Sequence, residues 1–228
     1  RFIGIGGGFV PFISENDSGS RPKPGEISLA NHGVLFLDEL PEFDRKVLEV
    51  LRQPIESGQI VVSRANAHVE FPADFQLVGA MNPCPCGYFG SNRCSCTAKE
   101  VARYQSKLSG PLLDRIDLHI TVPALPLSDL QNKAAGESSK TVRQRVIQAR
   151  NLAITRQNKP NAKLTPSELD RVAALDDAGL TLLANAKTRL DLSARSYHRL
   201  LRVARTIADL ADSSSVTSAH LAESLSYR

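Results

Sequence analysis

The chain has 228 residues, 42% of them hydrophobic and 23% charged, the composition of a globular protein with material for one large or two smaller domains. No apolar run reaches the roughly 18 residues of a membrane helix, and Arg1 leads into glycines rather than an apolar signal core, so neither a spanning helix nor a signal peptide is read. The net charge of +4 is modest and its positive side is concentrated in the second half. The chain begins without an initiator Met and reads as a piece of a longer protein.

Residues 1–25 are rich in Gly, Pro and Ser and read as an irregular approach segment. Gly6-Gly7-Gly8 fails as a phosphate-binding loop, because no Gly-Lys-Ser/Thr follows and no strand is read before it. Lys23-Pro24-Gly25-Glu26-Ile27 leads into a short helical turn ending near Gly33. Val34-Leu35-Phe36-Leu37 then reads as a fully buried strand that delivers Asp38 and Glu39 to the carboxyl edge of a sheet, where α/β proteins bind ligands. An Asp there suits Mg²⁺ and a neighbouring Glu suits polarising a water for attack on a phosphoryl group. The competing reading is a core strand that merely ends in a solvated acidic turn.

Phe43, Val47, Val50 and Leu51 recur at helical spacing to about Ser57, with Pro54 kinking the helix and Gly58 capping it. Gln59–Ser63 and His68–Phe71 flank Arg64-Ala65-Asn66-Ala67 as a β-hairpin. Phe75–Ala80 reads as a second buried strand that brings Asn82 to the same edge as Asp38 and Glu39. Asn82 there either orients an attacking water or simply forms a turn before Pro83.

The four cysteines follow as Cys84-Pro85-Cys86 and Cys94-Ser95-Cys96, with none elsewhere. Such clustering points to a tetrahedral zinc site in a reducing, cytoplasmic compartment, against free thiols or a pair of labile disulfides. Lys99–Lys107 is a basic helical segment, and Leu118–Val122 reads as a further strand. Between them Arg115, flanked by Asp114 and Asp117, is either a structural ion pair or a guanidinium aimed at a neighbouring subunit's γ-phosphate.

A Pro, Ala, Gly and Ser linker over 123–140 places a domain boundary near 126, dividing an α/β unit (1–126) from a helical one (127–228). In the second unit Val142, Val146, Ala149 and Ala153 form one stripe, with Arg143, Arg145, Arg150 and Arg156 over the remaining surface. Thr165-Pro166 and Ser193 open later helices, and Thr217 or Ser218 caps a last one. Arg195, Arg199 and Arg202 lie opposite the apolar face of the helix opened by Ser193. They read as a solvated stripe or as a source of an arginine for a bound triphosphate.

The order of these features resembles the helix-2-insert branch of the AAA+ superfamily and, more closely, the magnesium-chelatase-like ComM family. The match is carried by Lys23–Ala30, Gly33–Phe43, Ser109–Asp117 and Leu192–Arg199 with its continuation to Leu210. The resemblance implies a partial P-loop-NTPase-type α/β core with a parallel sheet and β-hairpin insert, followed by an all-α lid. It assigns Asp38 and Glu39 to the Walker-B pair, Asn82 to the first sensor, Arg115 to the arginine finger and Arg195 to the second sensor. It implies ATP and Mg²⁺ as cofactors, a hexameric ring, and an ATP-driven motor that promotes DNA branch migration in natural transformation. Arg64 and His68 near the hairpin tip become candidate DNA contacts of a phosphate-reading kind. Two other functions stay open: an AAA+ motor of the magnesium-chelatase or MoxR type acting on a protein or metal-insertion partner, and a non-catalytic zinc-stapled nucleic-acid-binding module. The family pattern also includes an upstream P-loop and an N-terminal domain that these residues lack, so this chain alone is expected to be inactive. Asn31 stands where the pattern usually has His.

Overall fold

The computed structural model describes residues 2–5, 23–64, 67–123, 136–190 and 192–228, and the chain divides into two compact units, Arg1–Ile116 and Asp117–Arg228. The linker position expected near 126 lies outside the described residues.

The first unit is built on a parallel three-stranded sheet in the order β1 (Phe2–Ile5), β2 (Val34–Leu37), β5 (Gln76–Gly79). A strand therefore does precede Gly6-Gly7-Gly8, contrary to the sequence expectation, while the glycines themselves lie outside the described residues. Four residues broken by Gly4 carry almost no periodic signal; parallel pairing with β2, from Phe2↔Val34 to Ile5↔Leu37, is what makes them a strand. In β2 Leu35 and Leu37 are fully buried, and Val34 and Phe36 on the other face are half-buried.

Helix α1 (Glu26–Leu29) drives Ile27 into the core below the sheet. Two further helices, α2 (Arg45–Val50) and α3 (Arg52–Ser57), replace the single kinked helix of the sequence reading. The break follows from Pro54, which has no N–H to offer the Val50 carbonyl. Gly58 closes α3 in the left-handed conformation at φ 69° and turns the chain into the hairpin β3 (Gln59–Arg64) and β4 (Ala67–Pro72). The hairpin register runs from Gln59↔Pro72 to Arg64↔Ala67, and Ile60 and Phe71, paired near its root, pack on the core.

Strand β5 is not the buried strand expected. It forms the edge of the described sheet, and Val78 is 39% exposed. Its start is fixed to the α1–β2 turn: the His32 amide donates to the Asp74 carbonyl, the Asp74 amide to Asn31 Oδ1, and the Gln76 amide to the Gly33 carbonyl. Beyond the cysteine loop, α4 (Ala98–Gln105) starts at a Thr97–Glu100 capping box and α5 (Gly110–Leu113) at Ser109.

In the second unit Leu118–Val122 forms no strand among the described residues, and the His119 amide donates to the Tyr227 carbonyl. Leu118, Ile120 and Val122 stand exposed. Alternating β-branched residues need a neighbouring strand before their preference is realised. The rest is helical: α6 (Ser139–Gln157), α7 (Pro166–Val172), α8 (Asp177–Leu190), α9 (Ala194–Leu210) and α10 (Ser218–Ser226). Leu169, Leu200, Ala204, Ala208 and Leu221 make the apolar centre. Beside it sits a polar one. Arg205, wholly buried, donates to Asp209 and to the Ser213 and Ser214 carbonyls, while Arg156 grips both Asp209 oxygens.

The arginines read as surface cover therefore need correction. Arg156 belongs to this buried network, Arg199 pairs with Asp117, and Arg202 donates twice to the Leu164 carbonyl; Arg195 is exposed. Helical spacing locates an arginine on a face but carries no trace of carboxylates and carbonyls distant in sequence. No helix among the described residues is long and apolar enough to cross a membrane.

Candidate functional site

Parallel pairing dictates which residues share an edge. Leu37 is in register with Gly79, so Asp38–Glu39 and Ala80–Asn82 leave neighbouring strands at the same carboxyl end. The exits are tied together: the Ala80 amide donates to the Leu37 carbonyl at 2.9 Å, and the Leu40 amide to the Ala80 carbonyl at 3.0 Å. On the other side the Asp38 amide donates to the Ile5 carbonyl at 3.0 Å, so Asp38 sits between both neighbours.

Asp38 and Glu39 are exposed, and Asp38 Oδ1 accepts from the Glu39 amide at 2.9 Å. Glu39 adopts φ 54°, ψ 46°, a left-handed conformation that costs a residue with a Cβ about 1 kcal/mol or more. What holds it there is the 3-10 turn Leu40–Glu42, whose Leu40 and Pro41 are buried. Gly79 forms the opposing wall, where a Cβ would run into the Leu40 side chain. A pair of water-accessible carboxylates on a turn with so little freedom fits a hydrated divalent cation.

Asn82 is exposed and lies two residues before the cysteine loop. Tyr104, on the buried face of α4 and 7% exposed, ties that loop to the edge. Burial pushes its phenol up, the Glu42 carboxylate adds to this, and the Asn82 backbone amide donates to the hydroxyl; Glu39 and Cys84 also act on it through their charge. The next residue, Gln105, donates to the Pro83 carbonyl at 3.1 Å. Neither anchor is read from the sequence, where only the helical spacing of Val101 and Tyr104 hints at a docked face.

The four sulfurs of Cys84, Cys86, Cys94 and Cys96 lie within 4.8 Å of one another. Cys84 is 3.4 Å from Cys86 and 3.9 Å from Cys94, and Cys86 is 3.7 Å from Cys94. A tetrahedron with bonds of about 2.3 Å, the zinc–thiolate length, has edges of about 3.8 Å. The donor set fits zinc. Amides of Tyr88 and Ser95 donate to the Cys86 sulfur and lower its thiol to about 6. Cys96 also receives an amide hydrogen bond, from Cys86, yet the Cys86 thiolate, burial and Cys84 together push it up to about 12. Four thiolates therefore repel one another without a cation between them, and a divalent ion removes that conflict.

Arg115 is 7% exposed: Nη2 donates to Glu56 Oε2 at 3.0 Å and Nη1 to the Pro111 carbonyl. The structure thus contains an ion pair at Arg115, with Glu56, a carboxylate 59 residues away in sequence. Arg64 closes β3 beside residues 65–66, which lie outside the described residues, and His68 is exposed at the same end of the hairpin. Arg195 lies in the first turn of α9, in the second unit, exposed.

Comparison with known proteins adds a family. Residues 16–130 match the model of magnesium chelatase subunit ChlI, and residues 136–228 the model of its C-terminal region. The chain is 52% identical over 211 residues to competence protein ComM of Haemophilus influenzae, covering 92% of this chain and 42% of that protein. It is 50% identical to the YifB protein of Escherichia coli over the same shares. With a magnesium-chelatase subunit ChlI from Mesostigma viride it shares 27% over 169 residues, 65% of this chain and 41% of that one. The chain thus spans about two-fifths of the length of the relatives it matches.

Proposed function

Because the chain belongs to the magnesium chelatase ChlI family of AAA+ proteins, we propose that it is the ATPase core and lid of a ring-forming, ATP-driven DNA motor that promotes branch migration. The observation that carries this reading is the shared carboxyl edge of β2 and β5, with Asp38, Glu39 and Asn82 on it, in a chain half identical to a competence protein.

In this mechanism Asp38 holds the hydrated magnesium ion that accompanies ATP. Glu39, fixed in its left-handed turn, takes up a proton from the attacking water, and Asn82 orients that water by hydrogen bonding. The magnesium ion supplies charge neutralisation on the phosphates. Arg195 in the helical unit contributes positive charge toward the triphosphate. Arg115 serves the nucleotide of the next subunit, and to reach it the guanidinium exchanges Glu56 for a phosphate. The lysine and amide cradle of a P-loop belong to a longer polypeptide, in which a hexamer assembles and turnover takes place. DNA, single-stranded or branched, passes the hairpin, where Arg64 and His68 meet phosphates. The four cysteines hold one zinc ion, and the protein works in the cytoplasm.

The test is ATP hydrolysis by the longer polypeptide containing the P-loop. Single-stranded or branched DNA is expected to stimulate turnover, and Glu39→Gln to abolish it while ATP still binds. The match to the magnesium chelatase subunit supports a second reading, a motor acting on a protein or metal-insertion partner. Turnover that no DNA stimulates would select it over the first.

A further inference from the structure

We infer that the four-cysteine loop carries a stacking platform for single-stranded DNA, made of Tyr88 and Phe89 with Arg93 against Tyr88. This rests on the DNA-motor reading and names a contact point for the strand, separate from the hairpin residues. Among the phenylalanines and tyrosines whose exposure is described, Tyr88 and Phe89 stand out as exposed, at 42% and 56%; Phe43 and Tyr104 in the same unit are at 5% and 7%. Exposed rings forgo the burial that aromatic side chains ordinarily gain, so two neighbouring rings left in water on one loop call for an occupant.

The loop is built to keep them out. Gly87 (φ 81°) and Gly90 (φ 85°) turn the chain on either side of the pair, and the four sulfurs clamp both ends. Within the turn Ser91 Oγ donates to the Tyr88 carbonyl at 2.9 Å and the Cys94 amide to the Ser91 carbonyl at 3.0 Å. Arg93 then returns over Tyr88: its guanidinium lies 4.1 Å from the Tyr88 ring centroid, and Nη2 donates to the Tyr88 hydroxyl at 3.0 Å.

A ring beside a guanidinium fits a nucleobase and its phosphate together. Charge agrees, since Arg93, Lys99, Arg103 and Lys107 stand against Glu100 alone between Met81 and Lys107. Four thiolates on a divalent ion leave two negative charges nearby, so base stacking rather than phosphate attraction dominates. A duplex, whose base faces are already stacked, offers the platform nothing.

The experiment is fluorescence anisotropy of the zinc-loaded full chain with a labelled single-stranded thymidine oligonucleotide and with a duplex. Phe89→Leu and Tyr88→Ala are each expected to weaken single-strand binding about tenfold, and Phe89→Tyr to retain it. Zinc content and circular dichroism establish that each variant keeps its centre and fold. The inference is overturned if Phe89→Leu and Phe89→Tyr bind alike, or if the duplex binds as tightly as the single strand. It is overturned equally if the ring variants change the sedimentation coefficient instead of DNA affinity, which would make this surface a protein interface. Wild-type binding that the ring variants leave intact refutes the platform alone; absence of DNA stimulation in the ATPase assay refutes the motor reading.

Discussion

Arg115 and Glu56 are 59 residues apart in sequence and 3.0 Å apart in space. The guanidinium is buried and the carboxylate half-exposed, so truncating Glu56 removes the carboxylate that Nη2 meets in a poorly solvated place. Glu56→Ala is expected to lower the unfolding free energy by about 1–3 kcal/mol. Arg115→Lys is expected to be destabilising as well, because an ammonium cannot span a carbonyl and a carboxylate as a planar fork does. Urea midpoints measure both, and an unmoved midpoint in Glu56→Ala would mean that the pair does not support the fold.

The helical unit should be acid-sensitive. Burial alone would raise the Asp209 carboxyl, but hydrogen bonds from Arg156 and Asn161 and the charge of Arg205 hold it below the usual range. Glu168 is drawn down to about 2, first by Lys159 and then by the Thr165 amide. Both carboxylates have folded values below their unfolded ones, so their stabilisation is complete above the ordinary carboxylate value of about 4 and fades as pH falls through the folded values, about 2 for Glu168. Asp209→Asn should reduce stability at pH 7 and flatten the decline between pH 5 and pH 2. A slope identical to wild type would remove Asp209 from the cause.

These two networks also show where sequence reading stops. The strand Val34–Leu37, the hairpin, the capped helices and the shared edge of Asp38 and Asn82 were legible, because each is announced by local periodicity or by a turn residue. Glu56 beside Arg115, Asp117 beside Arg199 and Asp209 between Arg156 and Arg205 were not, since nothing in a helical pattern points to a partner tens of residues away. Leu118–Val122 differs for the opposite reason: its pattern is that of a strand, but it has no strand neighbour among the described residues. The cysteine spacing disclosed the donors and left Tyr104 and Gln105, which anchor the loop, invisible.

From Met81 to Thr97 only Cys84 is buried, so the loop has almost no hydrophobic core of its own. If the four cysteines hold zinc, metal binding is expected to fold it. Elemental analysis of protein purified without chelator is expected to give about one zinc per chain, and Cys84→Ser to lose most of it. Stripping the metal should speed amide exchange from Asn82 to Tyr104 while leaving Leu35 and Leu37 protected. A metal-free protein with this loop still protected would remove the zinc assignment.

The contact between Gly79 and Leu40 governs the turn that holds Glu39. Any Cβ at position 79 meets Leu40 Cδ1 and comes within 3.1 Å of its Cγ, and Leu40 is only 5% exposed, so it has little room to withdraw. Gly79→Ala is therefore expected to cost about 1–3 kcal/mol through overpacking. Leu40→Ala should cost about 2–5 kcal/mol through the cavity it leaves. The double variant should cost less than their sum, because the new methyl enters the space the leucine vacates, and a coupling of about 0.5–3 kcal/mol is expected. Purely additive losses would mean that the two positions do not touch. If they do, Gly79→Ala must also displace the Leu40–Glu42 turn and with it the Glu39 carboxylate, so the amide shifts of Glu39 and Leu40 should move more than those of Val34 and Leu35 on the same strand.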